Sequence, residues 1–215
     1  MSASHVTTVM ISCAARTVAR SITIPQFEAH GLTPHVILSP CDPPGPPQNN
    51  AAGYEALIFA TNTNREWVLF LEDDIDVCPN FSPALTEVMR AGFPVVYLYL
   101  NDRADRGERQ YGKDVWAEIL SGRPMNPRVI PAQNIGQLYG SQAVLMTCDA
   151  ARAALRTLGA ARSATDTSFI YAWRAARYRV GIRVPHLVQH RHDRTLRKPE
   201  VRGPKRSMSY GRSYP

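Results

Sequence analysis

The sequence predicts an α/β protein, a doubly wound and mostly parallel central sheet flanked by helices. Three observations predict it. Short apolar, β-branched runs alternate with amphipathic segments through the first hundred residues, the pattern of strand–helix–strand units joined by right-handed crossovers. These runs are only a few residues long and end at turn-forming residues, as buried strands do. The chain has 215 residues, 44% of them hydrophobic, enough to bury one substantial core.

The elements follow in order. Val6–Ala14 reads as a first strand and Ile22–His30 as a helix closed by Gly31, glycine being the residue that ends helices in the left-handed conformation. Pro34–Leu38 is a second strand. The Ser39–Pro47 stretch, SPCDPPGPP, cannot be a strand interior because proline donates no ladder hydrogen bond. Asn49 or Asn50 caps a helix through about Thr61 with Tyr54, Leu57 and Ile58 on one face. The third strand is Trp67–Leu71. Ser82-Pro83 opens a helix to Ala91, and Pro94–Leu100 is a further strand. Asn101–Pro127 reads as a long polar loop with Trp116 and Ile119 as buried anchors. Val129–Ile130 and Gln142–Met146 read as strands, Asp149 caps a helix through Leu158, Asp166–Arg177 is helical, and Tyr178–Val184 is the last strand. From Leu196 onward the chain is charged and poor in apolar residues, which predicts a mobile basic tail. The expected organisation is one domain over 1–195, with an N-terminal half (1–100) and a C-terminal half (101–195), then the tail over 196–215.

The net charge of +7 is uneven: residues 1–151 carry 10 Lys+Arg against 15 Asp+Glu, and residues 152–215 carry 15 against 3. A basic second part facing acids in the first suits an anionic ligand, and it also suits nucleic acid. No apolar run is long enough for a transmembrane helix. The N-terminus lacks the basic start of a secretory signal. Four widely spaced cysteines with no CxxC pair argue against a zinc site and suggest free thiols in a reducing cytoplasm.

Chemistry concentrates at Trp67–Asp76, WVLFLEDDID, where an apolar strand runs into Glu72, Asp73, Asp74 and Asp76. Such a strand delivers acids to the rim where open α/β sheets bind ligands. Crowded carboxylates repel and are costly to desolvate, so they persist most easily if a cation neutralises them. Hard oxygen ligands suit Mg²⁺ or Mn²⁺, shared with a substrate phosphate. The segment lacks the glycine and distal glutamate of a calcium loop, and the chain has no phosphate-binding GxxxxGK[ST]. VPHLVQHRHD places His186, His190 and His192 after the last strand. A neutral imidazole binds Mn²⁺ well, and strand alternation selects His190, on the face of Val188. Asp166, at the start of a helix, either caps it or, if Thr165 or Ser163 caps instead, faces the cleft as a general base.

These residues resemble the metal-binding DxD region of nucleotide-sugar glycosyltransferases with the GT-A fold. LYGSQAVLMTCDAARAAL (Leu138–Leu155) and VPHLVQHRHDRTL (Val184–Leu196) extend the likeness to small bacterial and phage lipopolysaccharide-type (family 25-like) or family 2-like enzymes. The resemblance implies a nucleotide-diphosphate sugar as donor. Glu72 and Asp73 would then lie beside the nucleotide, Asp74 would hold Mn²⁺ or Mg²⁺ against the diphosphate with Asp76 as a competing ligand, and His190 would be the C-terminal metal ligand. Asp166 would be the base of an inverting enzyme, Ala14, Arg16 and Ser39 would line the nucleoside pocket, and Trp116, Tyr139 and Gln142 would contact the acceptor. The chain departs from the family at its first motif acid, a glutamate, and after the second strand, where only Asp42 supplies an acid. The acceptor would be a glycan, a lipopolysaccharide or a hydroxylated base in DNA. Two rivals are a haloacid-dehalogenase-type phosphatase built on Asp74 and Asp76, and a nucleic-acid-binding protein without enzymatic activity.

Overall fold

The computed structural model describes residues 5–39, 46–100, 106–138, 140, 142–158 and 165–191. Asp42, Tyr139, Ser163, His192 and the 196–215 tail lie outside those residues. Strands β1 (Val6–Cys13), β2 (His35–Ser39) and β3 (Trp67–Glu72) alternate with helices α1 (Thr17–Glu28) and α2 (Pro46–Thr61). A three-residue strand, β4 (Ile75–Val77), precedes α3 (Phe81–Arg90) and β5 (Val95–Tyr97). Then come α4 (Gly107–Tyr111), α5 (Lys113–Leu120), β6 (Arg128–Pro131), a 3-10 turn (Ile135–Gln137), β7 (Ala143–Thr147), α6 (Cys148–Leu158), α7 (Thr165–Ala175), β8 (Val180–Val184) and β9 (Val188–His190).

Seven strands form one sheet in the order β2-β1-β3-β7-β5-β8-β6. β1 runs parallel to β2 and β3, and β5 runs parallel to β8. β7 is antiparallel to both β3 and β5, and β6 is antiparallel to β8. Strand alternation gives the sheet two apolar faces. Val9, Val68, Phe70, Val95, Tyr97, Val144 and Met146 belong to the core shared with α2, α6 and α7. Met10, Leu69, Leu71, Val96 and Leu145 belong to the core with α1 and α3. Aromatic edges close each side: Phe70 against Phe169 at 5.1 Å, and Phe27 against Phe81 at 5.4 Å.

Several elements differ from the sequence expectation. α1 begins at Thr17 rather than Ile22 and carries Pro25 inside it, because Ala19, Thr23 and Phe27 form its buried stripe at four-residue spacing. α2 buries Ala52, Ala56, Leu57 and Ala60 and leaves Tyr54 and Ile58 partly exposed; its small residues admit close contact with the sheet. Ser82 does not cap α3, whose N-cap is Asn80; its hydroxyl bonds the His30 carbonyl at 2.8 Å. The expected 101–127 loop holds two helices, α4 and α5, whose packing depends on Gly107: a Cβ there would fall 2.0 Å from the Trp116 ring. The expectation of free thiols fails at Cys13, which is disulfide-bonded, while Cys78 and Cys148 are free. The assignment to a reducing compartment loses that support. Among the described residues, no helix is long and apolar enough to cross a membrane.

Candidate functional site

Three strand ends meet at one rim of the sheet. β1 ends at Cys13, whose register partner is Ser39 at the end of β2, and Ile11 of β1 pairs with Glu72 at the end of β3. The chain then turns through Asp73 and Asp74 into β4. This strand leaves the main sheet and pairs antiparallel with β9, with Ile75 opposite His190 and Val77 opposite Val188. The short β4–β9 ribbon is what brings His190, remote in sequence, to the acids.

Asp73 and Asp74 are 3% and 4% exposed. Burying a carboxylate is tolerable only with charged or hydrogen-bonding partners, and both have them. Ser12 donates to Asp73 Oδ2 at 2.5 Å, and Arg16 Nε lies 3.2 Å from Asp73 Oδ1. Arg16 Nη2 is 3.1 Å from Asp74 Oδ2, and His190 Nε2 approaches that same oxygen at 3.2 Å. Burial pushes the Asp73 pKa up, with the Ser12 hydrogen bond and the Arg16 charge opposing it. At Asp74 burial also works upward, but the His190 bond and the charges of His190 and Arg16 outweigh it and hold the carboxyl below its ordinary range. At His190 burial works downward, and the bond to Asp74 with the charges of Asp74 and Glu72 carries the imidazole above its usual value.

A frame of backbone-directed bonds holds this turn. Arg191 donates from Nη2 to the Asp73 carbonyl (3.0 Å), the Ala19 carbonyl (3.0 Å) and Thr23 Oγ1 (2.7 Å), while its amide bonds the Asp74 carbonyl at 2.7 Å. Thr23 Oγ1 in turn donates to the Asp73 carbonyl at 2.7 Å. Arg20 donates to Ser12 Oγ at 2.7 Å and to the Ala14 carbonyl at 3.2 Å. Ser12, Arg20, Thr23 and Arg191 escaped the sequence reading. The available signal was the arginine adjoining His190, because a strand that delivers a ligand needs an anchor.

Of the predicted residues, Arg16, Asp73, Asp74 and His190 converge. Glu72 adjoins them, its amide bonded to the Gln142 carbonyl at 3.0 Å and its carboxylate 3.5 Å from the Gln142 side-chain amide. Ala14 is exposed in the turn after β1, and Ser39 closes β2. Asp76 does not join the group: its carboxylate lies 3.5 Å from Arg191 Nη1 and accepts from Gln26 at 3.3 Å. As the middle residue of β4 it is turned away from the acids, which removes it from the expected metal set. Trp116 is a correction too. It is 4% exposed and stacked on Tyr111 with ring centroids 5.9 Å apart, so it is core and not an acceptor contact. Asp166 lies in the first turn of α7, where its Oδ1 accepts the Thr167 amide at 2.7 Å. Its charge also adds to the upward shift of the Tyr97 hydroxyl, which burial dominates. His186 is buried against Tyr111, its Nε2 3.1 Å from the tyrosine oxygen, and serves the core.

A divalent cation fits the pair Asp74 and His190. The Asp74 carboxylate and the imidazole Nε2 of His190 stand 3.2 Å apart, and a carboxylate with an imidazole is a donor set suited to Mn²⁺. Among the described residues no group of three His, Cys, Asp or Glu could enclose a metal. Metal ions that are shared with a substrate's phosphates commonly take only one or two ligands from the protein.

No protein-family profile and no curated protein matches this sequence. Solved structures do. A glycosyltransferase involved in glycosylation of the major capsid of PBCV-1 matches with a TM-score of 0.55 at 11% identity, covering 90% of this chain and 96% of that one. The Drosophila β-1,4-galactosyltransferase 7, solved as a mutant with manganese, UDP-Gal and xylobiose, matches at 0.53 and 12% identity, covering 92% and 75%. A protein of STIV matches at 0.50 and 11% identity, covering 94% of each chain. This chain has a GT-A-like fold. The shared architecture extends over nearly the whole of it, so the rim described here is part of a fold that hosts sugar transfer in other proteins.

Proposed function

We propose that the protein is a glycosyltransferase that moves a sugar from a nucleotide-diphosphate donor to an acceptor hydroxyl, with residues 1–100 serving the donor and 101–195 the acceptor. One observation carries the reading. On a GT-A-like sheet, a buried Asp73–Asp74 pair stands at the carboxyl end of β3 with His190 hydrogen-bonded to it across the β4–β9 ribbon. Asp74 and His190 would hold Mn²⁺ or Mg²⁺, which supplies neutralising charge for the leaving diphosphate. Glu72, Asp73, Ala14, Arg16 and Ser39 border the space for the nucleotide. Gln142, tied to Glu72, borders the acceptor side, and Asp166 takes the acceptor proton. The acceptor oxygen attacks the anomeric carbon, the bond to the diphosphate breaks with its electron pair leaving on the nucleotide, and configuration inverts. The basic second part of the chain (15 Lys+Arg against 3 Asp+Glu over 152–215) suits a polyanionic acceptor, either a lipopolysaccharide-like glycan or DNA with a hydroxylated base. A phosphatase pairing of Asp74 with Asp76 has no support, because Asp76 is held by Arg191 and Gln26.

Thermal unfolding with Mn²⁺ and a panel of nucleoside diphosphates tests this. One nucleotide at about 100 times its Kd adds about 2.7 kcal/mol, roughly 5–10 °C for a chain of this size, and EDTA abolishes the gain. No metal-dependent rise with any nucleotide, beside tight and salt-sensitive DNA binding, would make the protein a nucleic-acid-binding module instead.

A further inference from the structure

The guanidinium of Arg16 spans the two buried carboxylates, with Nε 3.2 Å from Asp73 Oδ1 and Nη2 3.1 Å from Asp74 Oδ2. Its neighbours of like charge are committed elsewhere: Arg20 to Ser12 and the Ala14 carbonyl, Arg191 to the carbonyls of Ala19 and Asp73. Those two arginines build the frame, and Arg16 addresses the acids themselves. It stands in the turn between β1 and α1, as the residue before the first helical turn, on backbone anchored by its amide to the Cys13 carbonyl at 2.9 Å. Lying between β1 and α1, it takes no part in the strand pairing of the sheet.

We infer that Arg16 is an internal counter-ion occupying the place of the divalent cation, and that it transfers to the donor's diphosphate when the cation takes Asp74. The inference rests on the function proposed above. Its physics is charge accounting at short range. A divalent ion on Asp74 beside a guanidinium on the same carboxylate puts like charges within a few ångströms in a poorly solvated place. The diphosphate resolves the conflict by offering the planar fork of arginine two anionic oxygens. Metal and diphosphate therefore bind cooperatively, each raising the affinity for the other by the same factor. Metal alone binds poorly because it must displace Arg16 without compensation.

Calorimetry with Mn²⁺ alone, and with inorganic diphosphate added in the presence of Mn²⁺, tests this on the full chain. Arg16→Gln is expected to bind Mn²⁺ alone more tightly than the parent, on the order of tenfold, and diphosphate more weakly by a similar factor, the size of ordinary coupling between sites. In EDTA the variant melts below the parent, and Mn²⁺ raises its melting temperature further than it raises the parent's. Arg16→Lys keeps the charge without the fork, and its effects fall between. It also serves as the reading if Arg16→Gln does not fold. Should the parent bind Mn²⁺ with diphosphate while both variants bind Mn²⁺ alone no more tightly than it does, the counter-ion role is wrong and the transferase reading stands. If no protein binds Mn²⁺ in any mixture, both fall.

Discussion

Asp74 has one carboxylate oxygen shared between Arg16 and His190. That sharing makes it the most informative single substitution. Asp74→Asn keeps the shape and removes the charge, and it should erase the metal-dependent nucleotide stabilisation of roughly 5–10 °C. Asp166→Asn should leave that stabilisation intact while lowering turnover by about 10²–10⁴-fold, the usual worth of a general base. A variant with undiminished rate would reduce Asp166 to its bond with the Thr167 amide. Glu118 offers a test on pH. Its hydrogen bond and charge pairing with Arg128 hold its carboxyl below the ordinary range, against a smaller contribution from burial. A depressed carboxylate stabilises the fold above its unfolded pKa and loses that contribution as pH falls through the folded one. Because the pair is about a third exposed, Glu118→Gln should cost only about 0.5 kcal/mol at pH 7, and nothing near pH 2; chemical denaturation at the two pH values measures it. The acids were legible in the sequence because a carboxylate cluster directly after an apolar run has few ordinary uses. Ser12, Arg20, Thr23 and Arg191 around them were not, since nothing in a residue's type announces that it will bond a distant carbonyl.

At the scale of elements, legibility follows burial. β1, β3, β7 and β8 are buried at nearly every position, so their apolar runs show in the sequence. β4 and β9 have three residues each and mixed polarity, too short for periodicity to register, yet they place the candidate metal ligand. Alternation along the chain did select His190, but only the ribbon register puts it opposite Ile75. α4 and α5 were missed because Gly107, Gly112 and charged residues mask a helical pattern that tertiary packing enforces. The glycine at the head of α4 is the test. Gly107→Ala drives a methyl into the Trp116 ring, and overpacking of that kind costs about 1–3 kcal/mol or more, a fall of several degrees in melting temperature without direct effect on metal binding.

Across the whole molecule, the sheet is assembled out of chain order. β7 comes late in sequence yet lies between β3 and β5, hydrogen-bonded to both. The first hundred residues therefore cannot complete the sheet they begin. One cooperative melting transition is expected for the unliganded protein, and two resolved transitions in calorimetry would contradict it. Phe70 is fully buried in that shared core, against Phe169 of α7. Truncating it to alanine should cost about 3–5 kcal/mol. The fold class was readable because strand and helix alternate through the first half. The reversal of β7 was not, because an antiparallel strand inside a mixed sheet is as apolar as its parallel neighbours.

The interleaving has a practical side. A break in the backbone just after β5 would leave that strand stranded, since both of its hydrogen-bonding neighbours, β7 and β8, belong to the other piece. Each piece expressed by itself would present raw strand edges and tend to aggregate, whereas the two produced together could recombine. The protein is thus suited to fragment complementation, with a recovered single melting transition as the signal that both pieces have met.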